Sequence, residues 1–145
     1  MTRSIYPTAH VQTKTTIKRL CAVCILPSAR ASGARYSTIR GNIFVRSGVV
    51  LDPYTPMILE NNTFIQNQTG AIFADPANSG ATRNVLVKSS GTGIKSAQPG
   101  LPVGHNTAIY NGGHGIDTLG AVDLGGNVAF QNKLGQCVGV VCAGR

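Results

Sequence analysis

Five side chains that can donate hydrogen bonds, Arg46, Gln66, Lys88, Tyr110 and Gln131, recur at gaps of 20, 22, 22 and 21 residues. Regular spacing of this length sets one such group on each coil of a solenoid. If the row splays outward, it forms a ladder of planar and cationic donors about 4.8 Å apart. Such a ladder suits an extended polysaccharide, and these five are the candidate carbohydrate-binding residues. The plainer alternative is a solvated strand edge. The preceding row, Val45, Ile65, Val87, Ile109 and Phe130, is either a second core layer or an exposed apolar stripe for a partner.

Acid–base chemistry has little to work with. Residues 41–145 hold five carboxylates, Asp52, Glu60, Asp75, Asp117 and Asp123. His114 and Asp117 stand together in Gly112-Gly-His-Gly-Ile-Asp117. Inverting glycoside hydrolysis needs two carboxyl groups about 6.5–9.5 Å apart. The segment one period earlier, Thr92-Gly-Ile-Lys95, has no carboxylate to pair with Asp117. Gly115-Ile116 then reads as the ordinary Gly-Ile of the repeat, with His114 an exposed turn residue. Asp52 and Asp75 each precede proline on adjacent coils, about 5 Å apart by strand spacing, where they could share a calcium ion. Asp-Pro is also a turn initiator, and no third oxygen cluster joins them, so they are read as turns. Lys88, Lys95 and Arg46 could serve as bases for a lyase, but an acidic calcium cluster is missing. His10, His105, His114 and the two methionines are scattered. No catalytic residue, metal site or cofactor is expected.

The four cysteines fall in two pairs. Cys21 and Cys24 lie inside the apolar run Leu20 to Leu26, away from the βαβ context of a redox Cys-x-x-Cys. Cys137 and Cys142 are candidates for a small disulfide loop closing the last coil, which fits an oxidising compartment. Their alternative is a pair of buried thiols, because Cys137 occupies a core column. A zinc site combining the two pairs is set aside, since they lie more than a hundred residues apart.

The elements that carry these groups follow from an asparagine column with the same period: Asn42, Asn62, Asn84, Asn106 and Asn127. Three residues before each sit Ile39, Leu59, Ala81, Val103 and Leu124. Two residues after sit Phe44, Phe64, Leu86, Ala108 and Ala129. Ten residues after the last four sit Ile72, Ile94, Ile116 and Cys137, with Val49 or Val50 filling that slot in the shorter first coil. Three apolar positions on three short segments predict a three-sided coil with one inward residue per side. β-branched Ile43, Thr63, Val85, Thr107 and Val128 favour strands. Ser47, Asn67, Ser89, Asn111 and Asn132 form a second small polar column, where asparagine tolerates left-handed backbone and can bond along a stack.

Residues 40–142 resemble a right-handed parallel β-helix of the pectate-lyase-like superfamily. The nearest resemblance is to secreted right-handed β-helix domains and the periplasmic copper-binding NosD-type family. It is carried by Asn62-Thr-Phe-Ile-Gln-Asn67, Asn106-Thr-Ala-Ile-Tyr-Asn111 and Gly125-Gly-Asn-Val-Ala-Phe-Gln-Asn132. The tail from Gln136 to Cys142 resembles the cysteine-closed ends of many such proteins. Gly112-Gly-His-Gly-Ile-Asp117 also resembles the Gly-His-Gly segment of polygalacturonase-type hydrolases, but their aspartate pair and downstream Arg-x-Lys have no counterpart here. The resemblance implies fold; one fold hosts many functions.

The expected architecture is all-β: a parallel β-helix of five coils of about 22 residues over 39–145. A basic leader, poorly ordered or a degenerate signal segment, covers 1–38. Residues 1–40 carry seven bases and no acid, whereas 41–145 carry six bases and five acids. The basicity therefore belongs to the leader, and no nucleic-acid surface is expected on the folded part. The run Leu20 to Leu26, after Lys18-Arg19 and before Ala29-Arg-Ala31, outlines a signal peptide. It is too short to span a membrane, which takes about 20 residues. The expected function is a non-catalytic, secreted or periplasmic β-helix in a binding or structural role, through carbohydrate or cell-surface contact. The alternative is a fragment of a polysaccharide lyase or glycoside hydrolase whose catalytic coils lie outside this chain. An open coil edge would favour end-to-end self-association.

Overall fold

A computed structural model describes residues 9–11, 16–18, 37–46, 57–73 and 79–144. Every regular element among them is a short strand. In chain order these are β1 (Ala9–Val11), β2 (Thr16–Lys18), β3 (Ser37–Arg40), β4 (Ile43–Val45), β5 (Met57–Glu60) and β6 (Thr63–Ile65). There follow β7 (Ala71–Phe73), β8 (Gly80–Thr82), β9 (Val85–Val87), β10 (Ile94–Ser96), β11 (Pro102–Gly104) and β12 (Thr107–Ile109). The last are β13 (His114–Thr118), β14 (Val122–Asp123), β15 (Asn127–Phe130), β16 (Gly135–Val138) and β17 (Cys142–Ala143).

From β5 to β16 every third strand returns to the same sheet, and all pairs are parallel. The first face runs β1-β3-β5-β8-β11-β14, the second β2-β4-β6-β9-β12-β15-β17, and the third β7-β10-β13-β16. The chain is thus a three-sided parallel solenoid. Strands β1 and β2 pair with β3 and β4, so the strands begin upstream of position 39. Asp52, Asp75, Ser47, Val49, Val50, Cys21, Cys24 and the signal-like run lie outside the described residues.

The core is three apolar columns. The second face contributes Phe44, Phe64, Leu86, Ala108 and Ala129, all buried. Phe44 and Phe64 stack at 4.9 Å and 12°. The first face contributes Ile39, Leu59, Ala81 and Val103, and the third Ala71, Ile94 and Ile116. Two expected core residues are displaced by one position. Ala71, not Ile72, pairs with Ile94, because the corner before β7 is one residue shorter than those before β10 and β13. Val103 pairs with Asp123, not Leu124, because the turn after β14 holds one residue more. Leu124 is therefore exposed. In a strand, a slip of one residue exchanges inside for outside.

The same corrected register brings Gly70, Gly93 and Gly115 towards one tight corner. A Cβ on Gly93 would strike the carbonyl oxygen of Gly115, and one on Gly115 would lie 2.6 Å from Asn132 Nδ2. Only glycine lets the backbones of successive coils approach this closely.

Two buried amide ladders tie the coils together. In the first, each backbone N–H and each Nδ2 donates to the Oδ1 of the asparagine one coil on. Asn84 N and Nδ2 reach Asn106 Oδ1 at 3.0 and 3.1 Å. From Asn62 on, each Nδ2 also donates to a first-face carbonyl of the coil before, as Asn84 does to Leu59 O at 3.0 Å. The second ladder uses the next corner, where Asn111 N and Nδ2 donate to Asn132 Oδ1, both at 2.9 Å. Ser89 breaks this column. Its N–H donates to Asn111 Oδ1 at 3.0 Å, but its buried Oγ has no partner.

Both ladders end on acceptors in the last coil. Asn127 Nδ2 donates to Asp123 Oδ1 at 3.3 Å, and Asn132 Nδ2 to Gln136 Oε1 at 3.0 Å. Asp123 also accepts Val141 N and Gly125 N, each at 2.8 Å. These bonds, that from Val141 first, hold its carboxyl below its ordinary value of 3.8. The folded group is thus the stronger acid. Its contribution to stability is complete above the unfolded value and is lost as pH falls through the lower folded one. The expected result is a thermal midpoint that falls as the pH drops below about 4, with a shallower acid limb in Asp123→Asn. Identical acid limbs in the two proteins would refute it.

Candidate outer face and corner ladder

The second face is bounded by two corners, and both are made by left-handed backbone. Before each strand stands Gly41, Asn61, Arg83, His105 or Gly126, at φ between 55° and 70°. After each strand stands Arg46, Gln66, Lys88, Tyr110 or Gln131, at φ between 51° and 58°. The left-handed conformation therefore falls on the residue before each ladder position, not on the ladder asparagines. It costs a non-glycine residue roughly 1–2 kcal/mol. The backbone N–H at these corners is not left open; Lys88 N, for example, donates to Ile109 O at 3.1 Å.

This geometry decides where the candidate row points. Along β9, Val85 is outward, Leu86 inward and Val87 outward. Simple alternation would turn Lys88 inward. The left-handed φ at Lys88 reverses that, and Lys88 is exposed. Arg46, Gln66, Tyr110 and Gln131 are exposed for the same reason. Within the row, Arg46 Nε donates to Gln66 Oε1 at 3.0 Å. Tyr110, 49% exposed, sets its ring edge-on to Phe130 at 6.3 Å.

The row beside the ladder, Val45, Ile65, Val87, Ile109 and Phe130, is half-buried on the outer side of the second face. It is not a second core layer. The parallel outer row, Thr63, Val85, Thr107 and Val128, is half-buried too, and Ile43 at its end is 41% exposed. Strand register aligns both rows coil by coil: Thr63 with Val85, Thr107 with Val128, Ile65 with Val87, and Ile109 with Phe130.

Charge sits around this face. Glu60 joins Arg40 at 3.5 Å and Arg83 at 3.2 Å, on exposed arginines where such pairs add little. His114 opens β13 on the third face and is partly buried, not an exposed turn residue. Its Nδ1 lies 4.0 Å from Asp117 Oδ2. The register partner of Asp117 on the adjacent coil is Lys95 rather than a second carboxylate. Among the described residues no group of three or more His, Cys, Asp or Glu could hold a metal, and no helix is long and apolar enough to cross a membrane. Cys137 and Cys142 form a disulfide with Cα atoms 6.1 Å apart.

The model of the family described as Right handed beta helix region matches residues 8–134. The chain belongs to the right-handed β-helix family. The match starts upstream of β1, in keeping with strands that precede position 39. Comparison of this β-helix with curated proteins and with solved structures gives no match. The left-handed corners and the ladder terminators Asp123 and Gln136 were missed by sequence reasoning. The terminators had one signal: each stands four residues from the ladder asparagine it ends.

Proposed function

We propose that this β-helix is a non-catalytic binding protein that contacts an extended polysaccharide through the corner ladder Arg46, Gln66, Lys88, Tyr110 and Gln131. The observation that supports the reading is the left-handed φ shared by all five, which turns one hydrogen-bonding side chain per coil into solvent. The repeat along the axis is about 4.8 Å, so a linear chain laid along the corner meets a donor at every coil. The disulfide agrees with a secreted or periplasmic location.

The test is saturable binding of the full chain across a glycan array, with Tyr110→Ala and Lys88→Ala alongside. Each substitution is expected to weaken binding about tenfold, the equivalent of roughly 1.4 kcal/mol. Absence of binding to every glycan would remove the carbohydrate reading and leave a structural solenoid.

A further inference from the structure

The last coil ends differently from the others. After β7, β10 and β13 the chain leaves the third face for the first, whereas after β16 it passes to the second, where β17 pairs with β15. Residues 139–141 therefore cross the end of the solenoid. Val140 packs against the core from that end, together with Cys137 and Cys142. Gly139 makes the bend at φ 81°, so close to Thr118 O that a Cβ would collide with it. The segment is a cap on a core that ends at Ile116 and Ala129, both fully buried.

Among the described residues, few contacts besides the disulfide hold this cap. Strand β17 is two residues long, with Cys142 in register with Asn127 and Ala143 with Val128. Val141 N donates to Asp123 Oδ2 at 2.8 Å, while the Val141 side chain is 78% exposed. Neither amide ladder continues into the cap, because Asp123 and Gln136 accept the last side-chain donors. The disulfide ties this weakly held strand to β16, where Cys137 stands in register with Ile116. Both cysteines are partly buried, and Gln136, Val138, Val141 and Ala143 beside them are exposed. A small dithiol can reach a bond so placed, and exposed disulfides are the labile, regulatory ones.

We propose that Cys137–Cys142 is a redox latch on the C-terminal cap, shut when oxidised and opened by a dithiol while the coils beneath stay folded. One thiolate of the reductant attacks a cysteine sulfur and its second thiol completes the exchange. The products are the cyclic disulfide of the reductant and two protein thiols, which take up its two protons. Cys137 stays in the third-face column with β16, and Cys142 leaves with β17. The coils beneath keep their strand pairs on three faces and their amide ladders, and in a solenoid the loss of one end need not propagate. The open form bares the edge of β15 and the end of the core at Ala129. The latch thus decides whether the last coil can accept a further strand. It is independent of the carbohydrate reading.

The test uses the full chain with Cys21→Ser and Cys24→Ser, so that only Cys137 and Cys142 remain. Hydrogen exchange read by mass spectrometry follows peptides across 135–144 and 80–113 before and after dithiothreitol. Iodoacetamide on a parallel sample counts the thiols freed. The expected result is two alkylations, exchange about tenfold faster over 139–143, and a change within about twofold over 80–113. Reoxidation should restore the starting pattern, and Cys142→Ser should show the open pattern without reductant. Thiols that appear only in denaturant would show the bond to be out of reach and overturn the latch. Exchange over 139–143 that reduction leaves unchanged, or a folded Cys142→Ser that stays shut, overturns it by showing that strand pairing alone holds the cap. Exchange that rises equally across 80–113 overturns it too, since the disulfide is then a staple of the whole fold.

Discussion

Asn84→Ala is expected to lower the free energy of unfolding by about 4 kcal/mol, read as a lower urea midpoint with unchanged slope. Asn84 is 1% exposed and sits in the middle of the first amide ladder. Its Oδ1 accepts from Asn62 N and Nδ2 at 3.0 and 3.1 Å. Its Nδ2 donates to Leu59 O at 3.0 Å and Asn106 Oδ1 at 3.1 Å. Alanine removes all four bonds in a place water does not reach; Asn62 N loses its acceptor, whereas Asn106 Oδ1 keeps the backbone Asn84 N and Asn62 Nδ2 keeps Ile39 O. Each such bond is worth about 1 kcal/mol net, and a buried group left unpaired costs more. The neighbouring Asn61 is the control. It is exposed and left-handed, so Asn61→Ala should cost only about 1 kcal/mol, from backbone strain. Equal losses at the two positions would mean that the ladder adds nothing beyond asparagine's turn preference.

Phe64→Ala is expected to cost about 4 kcal/mol through the cavity it opens. Phe64 is fully buried, stacks on Phe44 at 4.9 Å and precedes Leu86 in the same column. The neighbouring coils are held at fixed separation by their strand pairs. Phe64→Leu keeps an apolar group in the column and should cost less than about 1.5 kcal/mol. A loss below about 1 kcal/mol for the alanine variant would show that the coils collapse onto the gap.

The column positions of Phe64 and Asn84 were legible from sequence because both repeat at the same interval as every other coil. Period and residue type together sufficed there; for Cys137 and Cys142 they left a disulfide and buried thiols both open, and the structure shows the disulfide. Ala71 and Asp123 escaped for a geometric reason. A strand of two or three residues is too short for alternation to correct a corner that is one residue short or long. The outward aim of Arg46, Gln66, Lys88, Tyr110 and Gln131 stayed one of two readings for a chemical reason. No residue type common to the five announces left-handed backbone, and glycine occupies none of these positions. The acceptor roles of Asp123 and Gln136 depend on how the last turn folds back, which a repeat pattern does not encode.

Ser89 gives the β-helix a fault line. In the coil that holds it, only the first ladder passes a side-chain amide to the next coil, whereas the Asn111 coil passes two. Because each coil touches only its neighbours, cooperativity travels along the axis one interface at a time. The molecule should therefore breathe as two blocks meeting at Ser89, with amide exchange faster on the side nearer β4 than on the side nearer β15.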